Sequence, residues 1–133
     1  MRRDAGFVAI EWLLATALLL FPVVVVAAAV PTWIERQHAA TVVAREVAVY
    51  AAETFPASSA TSREIADVIA ANYGIPPGDV DVTVLDDAVR GGQVRARVTI
   101  VMPAISIPFG GTVGRWRYST EYTVRIDDYR SRT

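Results

Sequence analysis

The chain has 133 residues and a formal charge of −1, from 13 basic and 14 acidic side chains, so it holds about one ordinary domain and lacks the cationic excess of a nucleic-acid binder. At 53% hydrophobic and 20% charged, with a mean hydropathy of +0.32, it is too apolar for a disordered chain or an ordinary small soluble domain. With no cysteine, disulfides, thiolate metal sites and cysteine nucleophiles are excluded together.

Residues 12–34 form a run of 23 without a charge. As a helix at about 1.5 Å per residue this run reaches roughly 34 Å, against a bilayer hydrocarbon core of about 30 Å. Pro22 and Pro31 lie inside it, where they predict kinks without termination, because neighbouring groups in a spanning helix can re-satisfy a freed carbonyl. Arg2 and Arg3 precede the span while Glu35 and Arg36 cancel after it, which keeps the N-terminus in the cytoplasm and places residues 35–133 outside. A twin-arginine export signal is disfavoured by Asp4-Ala5-Gly6, which stands where apolar residues should follow the pair.

Helical pattern continues past the span through residues 34–53, which contain neither Gly nor Pro. Glu35, Glu46 and Glu53 share one stripe; Ala39, Val43, Val47 and Tyr50 share another, so this stem is amphipathic and needs a partner surface. A polar break at residues 55–60 precedes Thr61-Ser62-Arg63-Glu64, whose spacing predicts a capping box between Thr61 and Glu64. The short helix that follows is expected to bury Ile65, Val68, Ile69 and Tyr73, with Gly74 as its left-handed cap and Pro76-Pro77 closing it.

Beyond Gly78 the period becomes 2. Val80, Val82 and Val84 alternate with polar residues; so do Val94, Ala96, Val98, Ile100 and Met102, and then Trp116, Tyr118, Tyr122, Val124 and Ile126. Three half-buried strands are predicted. Gly91-Gly92 suits a hairpin between the first two, and the uncharged residues 103–114 connect the second to the third. The predicted fold class is therefore α+β, a long helix and its stem packed on a short helix and a three-stranded antiparallel sheet.

Catalytic chemistry finds little support. The sole histidine, His38, sits just past the span and is read as solvent-facing or interfacial. Asp79, Asp81, Asp86 and Asp87 lack the alternation, central Gly and terminal Glu of an EF-hand loop and are read as a solvated strand face and turn. The glycines of residues 109–114 lack the lysine and the strand-to-helix setting of a phosphate loop and are read as a turn. Ser58, Ser59 and Ser62 have no base nearby in sequence. No catalytic, cofactor-binding or metal residue is assigned, and the protein is expected not to be an enzyme. Glu11 resists a bland reading: an ionised carboxylate in a membrane costs on the order of 2.5–3.5 kcal/mol, less near the interface, and implies a cationic partner.

Gly6-Phe7-Val8-Ala9-Ile10-Glu11 resembles the type IV prepilin peptidase motif, in which a short basic leader ends in Gly, the next residue becomes the new N-terminus and the fifth mature residue is Glu. Gly6 matches the leader end, Phe7 the first mature residue and Glu11 the glutamate. Within that class the chain is most similar to TadE-like minor pilins, or pseudopilins, of the tight-adherence (Flp) pilus systems. Glu11-Trp12 resembles their Glu-Phe or Glu-Tyr pair, and Ala44-Arg45-Glu46-Val47-Ala48 with Ala51-Ala52 resembles the Ala-Arg-Glu-rich helix after their span. The resemblance covers residues 1 to 53. It implies a leader at 1–6, a transmembrane helix at 7–34, a helical stem at 35–53 and a small extracytoplasmic domain at 54–133, with a pilin-like fold. It further implies a prepilin peptidase, other pilin subunits and a pilus assembly platform as partners, with the membrane and no nucleic acid. Physically, a cut after Gly6 creates an ammonium group on Phe7 that can pair with Glu11 of a neighbouring subunit and set axial register.

Two other readings compete: a secreted binding module cut at Ala27-Ala28-Ala29 before Val30, and an uncut membrane-anchored sensor or scaffold. Against the first, the apolar stretch 12–29 has 18 residues, longer than the roughly 7–15 of a signal-peptide core. The uncharged segment 103–114, with Ile105, Ile107 and Phe109 at alternate positions, is expected to meet a neighbouring subunit or the membrane surface in preference to forming a fourth strand edge.

Overall fold

The computed structural model describes residues 4–54, 56–86, 91–107 and 110–126. One helix, α1 (Asp4–Glu53, 50 residues), runs unbroken through Pro22 and Pro31. It is followed by α2 (Ser59–Asn72) and a single 3-10 turn (Pro77–Asp79), then β1 (Val80–Asp86), β2 (Gln93–Met102), β3 (Ile105–Ile107), β4 (Gly111–Val113) and β5 (Trp116–Arg125). The α+β class is as expected.

The main sheet has the order β1-β2-β5 and is antiparallel throughout. Its register brings Val80 and Tyr118 to either side of Ile100, and Val84 and Tyr122 to either side of Ala96. Residues two apart in a strand share a face, so the predicted apolar set lies on one side of the sheet, where Val94, Ala96, Val98, Ile100 and Met102 are fully buried. On the other side Arg97 meets Glu121 through two hydrogen bonds, 3.1 Å from Nε and 3.0 Å from Nη2, and Arg95 Nε reaches the other carboxylate oxygen at 2.9 Å.

The stem half of α1 covers the buried face. Ala39, Val43 and Val47 are fully buried, as the stripe predicts, while Tyr50 is half-buried and Glu35, Glu46 and Glu53 are exposed. A second row, Ala40, Ala44, Ala48 and Ala51, is equally buried, so the helix sits in a groove with sheet on one side and α2 on the other.

Several details of α2 depart from expectation. Its cap is Ser58, whose Oγ accepts from the Thr61 amide at 3.5 Å, and Thr61 lies inside the first turn. The first helical turn thus starts three residues earlier than a Thr61–Glu64 capping box would place it. The buried face is Ser62, Ala66 and Ala70, flanked by half-buried Ile65 and Ile69, whereas Val68 is 60% exposed and Tyr73 40%. The small residues win the inner face because α2 packs closely on α1. At the other end Gly74 has φ +66°. Its N–H donates to the Ala71 carbonyl while the Ile75 N–H donates to Ala70, the paired bonds of a Schellman cap, and Ile75 is buried beneath it.

The segment 103–114 also differs from the expected loop. It is a two-stranded hairpin of its own, β3 paired with β4 through Ile105↔Val113, Ser106↔Thr112 and Ile107↔Gly111, and the glycine stretch supplies a strand as well as a turn. Because Met102 pairs with Trp116, the hairpin extends the β2–β5 end of the sheet. It adds no edge to the main sheet.

Candidate functional site

The N-terminal half of α1 is where sequence places the functional residues. Phe7, Ile10, Trp12, Leu13, Leu14, Leu18 and Leu19 are each 67–76% exposed, and an 18-residue window of this helix with mean hydropathy 2.8 is wholly unburied by the rest of the chain. In water such a surface would be strongly unfavourable, at about 25 cal/mol per Å². A helix this long and apolar is compatible with a membrane crossing.

Gly6 lies in the first turns of α1, and a Cβ built there meets no atom within 4 Å. The fold therefore gives no reason for glycine at a helical position where it costs about 1 kcal/mol relative to alanine. Glu11 follows Phe7 by four residues, which sets both on one helix face. Its carboxylate is exposed and makes no ion pair or hydrogen bond among the described residues. On the opposite face Ala9, Trp12, Leu13, Thr16, Ala17 and Leu20 line a shallow groove; their i, i+3, i+4, i+7 spacing is that of a helix–helix seam, with small residues at its floor.

At the other end of the apolar run, the β3–β4 hairpin leans on the helix. Val25, Ala28, Ala29, Thr32 and Trp33 face Pro103, Ala104, Ile105 and Ser106 across a cleft of about 340 Å³. Trp33 donates from Nε1 to the Pro103 carbonyl at 3.5 Å and meets Trp116 edge to face, ring centroids 6.0 Å apart. Ile105 and Ile107 are half-buried, and Phe109 lies outside the described residues.

Immediately beyond Trp33 the chemistry turns ionic. Arg36 donates to the Val101 carbonyl at 2.6 Å and lies 3.5 Å from Asp79, whose other oxygen accepts from Arg115 at 3.2 Å. Asp81 pairs with Arg63 at 3.5 Å. Of the acidic residues considered for calcium, Asp79 and Asp81 are thus held by arginines, and no group of three or more His, Asp or Glu suited to a metal occurs among the described residues. Asp87 is outside them. His38 is exposed and packs edge-on to Tyr73 at 6.1 Å.

Sequence reasoning missed the Arg36–Asp79–Arg115 cluster, since Arg36 reads as cancelling its neighbour Glu35 and the pairing spans 43 residues. It also missed the Trp33–Trp116 contact, for which two aromatic residues bordering uncharged segments were the available signal. Comparison with protein-family models, curated proteins and solved structures finds no match to the chain.

Proposed function

We propose that the protein is a minor pilin, or pseudopilin, that takes part in assembling a Tad-type, type IV-like pilus. A prepilin peptidase cuts it after Gly6, and α1 then anchors it as a single-pass protein of the cytoplasmic membrane with its folded domain outside. The role is structural, and no reaction is assigned to it. The observation that carries this reading is the carboxylate of Glu11, the one charge in the exposed stretch of α1 from residue 6 to 34 and without a partner among the described residues. A charge placed there without an internal partner is costly in lipid unless another molecule supplies the cation. The Phe7 ammonium of a neighbouring subunit, formed by cleavage, is such a cation on the matching helix face. Gly6 supports the same reading, because nothing in the fold needs it and a small residue suits a peptidase cleft. Two usable faces on one helix, the Phe7–Glu11 side and the Ala9–Leu20 groove, allow contacts to neighbours on both sides in a helical bundle.

The test is the N-terminal sequence of the protein from its native host, together with two substitutions. The mature chain should begin at Phe7. Gly6→Leu should leave the leader attached while insertion proceeds, and Glu11→Val should insert but fail to co-purify with other pilins. Normal processing of Gly6→Leu with undiminished association of Glu11→Val would remove the basis of the assignment. An N-terminus at Val30 would indicate the secreted module, although that cut would strip Val25, Ala28 and Ala29 from the wall of the hairpin cleft. An intact Met1 would indicate the anchored scaffold.

A further inference from the structure

We infer that the β3–β4 hairpin, with Trp33 and Trp116, forms a rim that rests in the headgroup zone of the bilayer and sets how deeply α1 is inserted. The inference rests on the reading that α1 crosses a membrane, and it shifts the span toward the N-terminus, to about residues 7–25.

Four observations lead there. The hairpin lies against residues 25–33 of α1, within the run that the sequence alone assigns to lipid. Its segment, residues 103–114, carries no charge, while the ionic cluster Arg36, Asp79 and Arg115 stands just beyond it. Between the two sit the paired tryptophans, the side chains that concentrate where hydrocarbon meets water. Finally, among the described residues β3 and β4 pair only with each other, so both outer edges present backbone groups that no described strand pairs. Such edges are not tolerated in hydrocarbon, which excludes deep burial of the hairpin. The headgroup zone, with its water and mixed polarity, accommodates both the open edges and the apolar side chains.

A protein partner fits this surface less well. Among the described hairpin residues Val113 is the single large apolar side chain more than half exposed, too little for an interface of roughly 800 Å² per partner. With the rim at residues 25–33, the 19 residues from 7 to 25 span roughly 28 Å, close to the hydrocarbon thickness of about 30 Å. Glu11 then lies roughly 6 Å inside the cytoplasmic edge, deeper than a span of 12–34 would put it, which sharpens its need for a cationic partner.

The absence of native cysteine allows a direct test on the full chain. Leu18→Cys, Ala27→Cys, Thr83→Cys, Ser106→Cys and Thr112→Cys, each carrying a fluorophore, are reconstituted in phosphatidylcholine–phosphatidylglycerol vesicles. The lipids bear a nitroxide either at the headgroup or near the chain end. Labels at 106, 112 and 27 should be quenched more by the headgroup nitroxide, giving a shallow-to-deep ratio above one. The label at 18 should give a ratio below one, and that at 83 should be quenched by neither. If 18 is quenched from the chain end while 106 and 112 escape both lipids, the rim is wrong and the spanning helix stands. Chain-end quenching at 27, 106 or 112 would also overturn the rim, as would energy transfer between labels at 112 on two copies without lipid quenching. If 18 itself escapes, the spanning reading fails and the rim with it.

Discussion

Ser62 is 2% exposed on the inner face of α2, and its hydroxyl has no hydrogen-bond partner among the described residues. A buried hydroxyl without a partner costs about 1–3 kcal/mol, and Ala66 and Ala70 on the same face show that a methyl group fits this layer. Ser62→Ala should therefore stabilise the fold by about 1 kcal/mol and raise Tm by several degrees in a thermal melt; a fall would mean that the hydroxyl is bonded. Sequence marked Ser62 only as polar, because helical periodicity weighs large apolar residues and Ser62 is neither large nor apolar. Arg36 makes the same point with the opposite sign. It reads as a solvated charge after the span, yet its side chain is only 16% exposed and binds Val101 and Asp79. Which partner an arginine finds across 43 residues depends on where the sheet end comes to rest.

At the scale of elements, the stem of α1 carries the core. Val43 and Val47 were visible in the sequence as a stripe, and both are fully buried. The alanine row Ala40, Ala44 and Ala48 was not, although its four-residue spacing is regular. A methyl side chain adds little to an apolar pattern but permits close approach of backbones, and that approach makes the groove between sheet and α2. Val47→Asp places an unpaired charge at the centre of this layer and should cost roughly 2–4 kcal/mol, a large part of the stability of a domain this size. The check is thermal or urea melting of the protein in detergent, where an unchanged transition would show that the stem does not cover the sheet. In α2 the same physics misdirected the sequence reading: Val68 falls outward because a close helix–helix approach favours Ser62, Ala66 and Ala70 within. The hairpin at 105–113 was missed as an element because its strands are three residues each, too short for alternation to separate strand from loop.

For the whole molecule, the division between exposed helix and packed core falls inside α1. No residue of α1 before Ala39 is fully buried among those whose exposure is described, and the core cluster begins with Ala39 and Ala40. A fragment from Val30 onward keeps the stem, Trp33 and Arg36, and should melt cooperatively in aqueous buffer. A fragment from Thr54 onward leaves the apolar face of the sheet open and should fail to fold, as judged by near-ultraviolet circular dichroism. Cooperative melting of the shorter piece would show that α2 and the sheet suffice.

Local pattern by itself determined the long apolar helix, the short helix and the three strands with their inward faces, because each depends on periodicity within a dozen residues. It also determined the placement of Gly6, Phe7 and Glu11 within the first turns of α1, since those positions follow from chain order alone. Only the tertiary structure decided which side of α2 is inside, which arginines hold Asp79, and that the β2–β5 connection folds into a hairpin against residues 25–33 of α1. Each of these turns on the distance of approach between elements far apart in the chain, and no spacing in a single sequence encodes that distance.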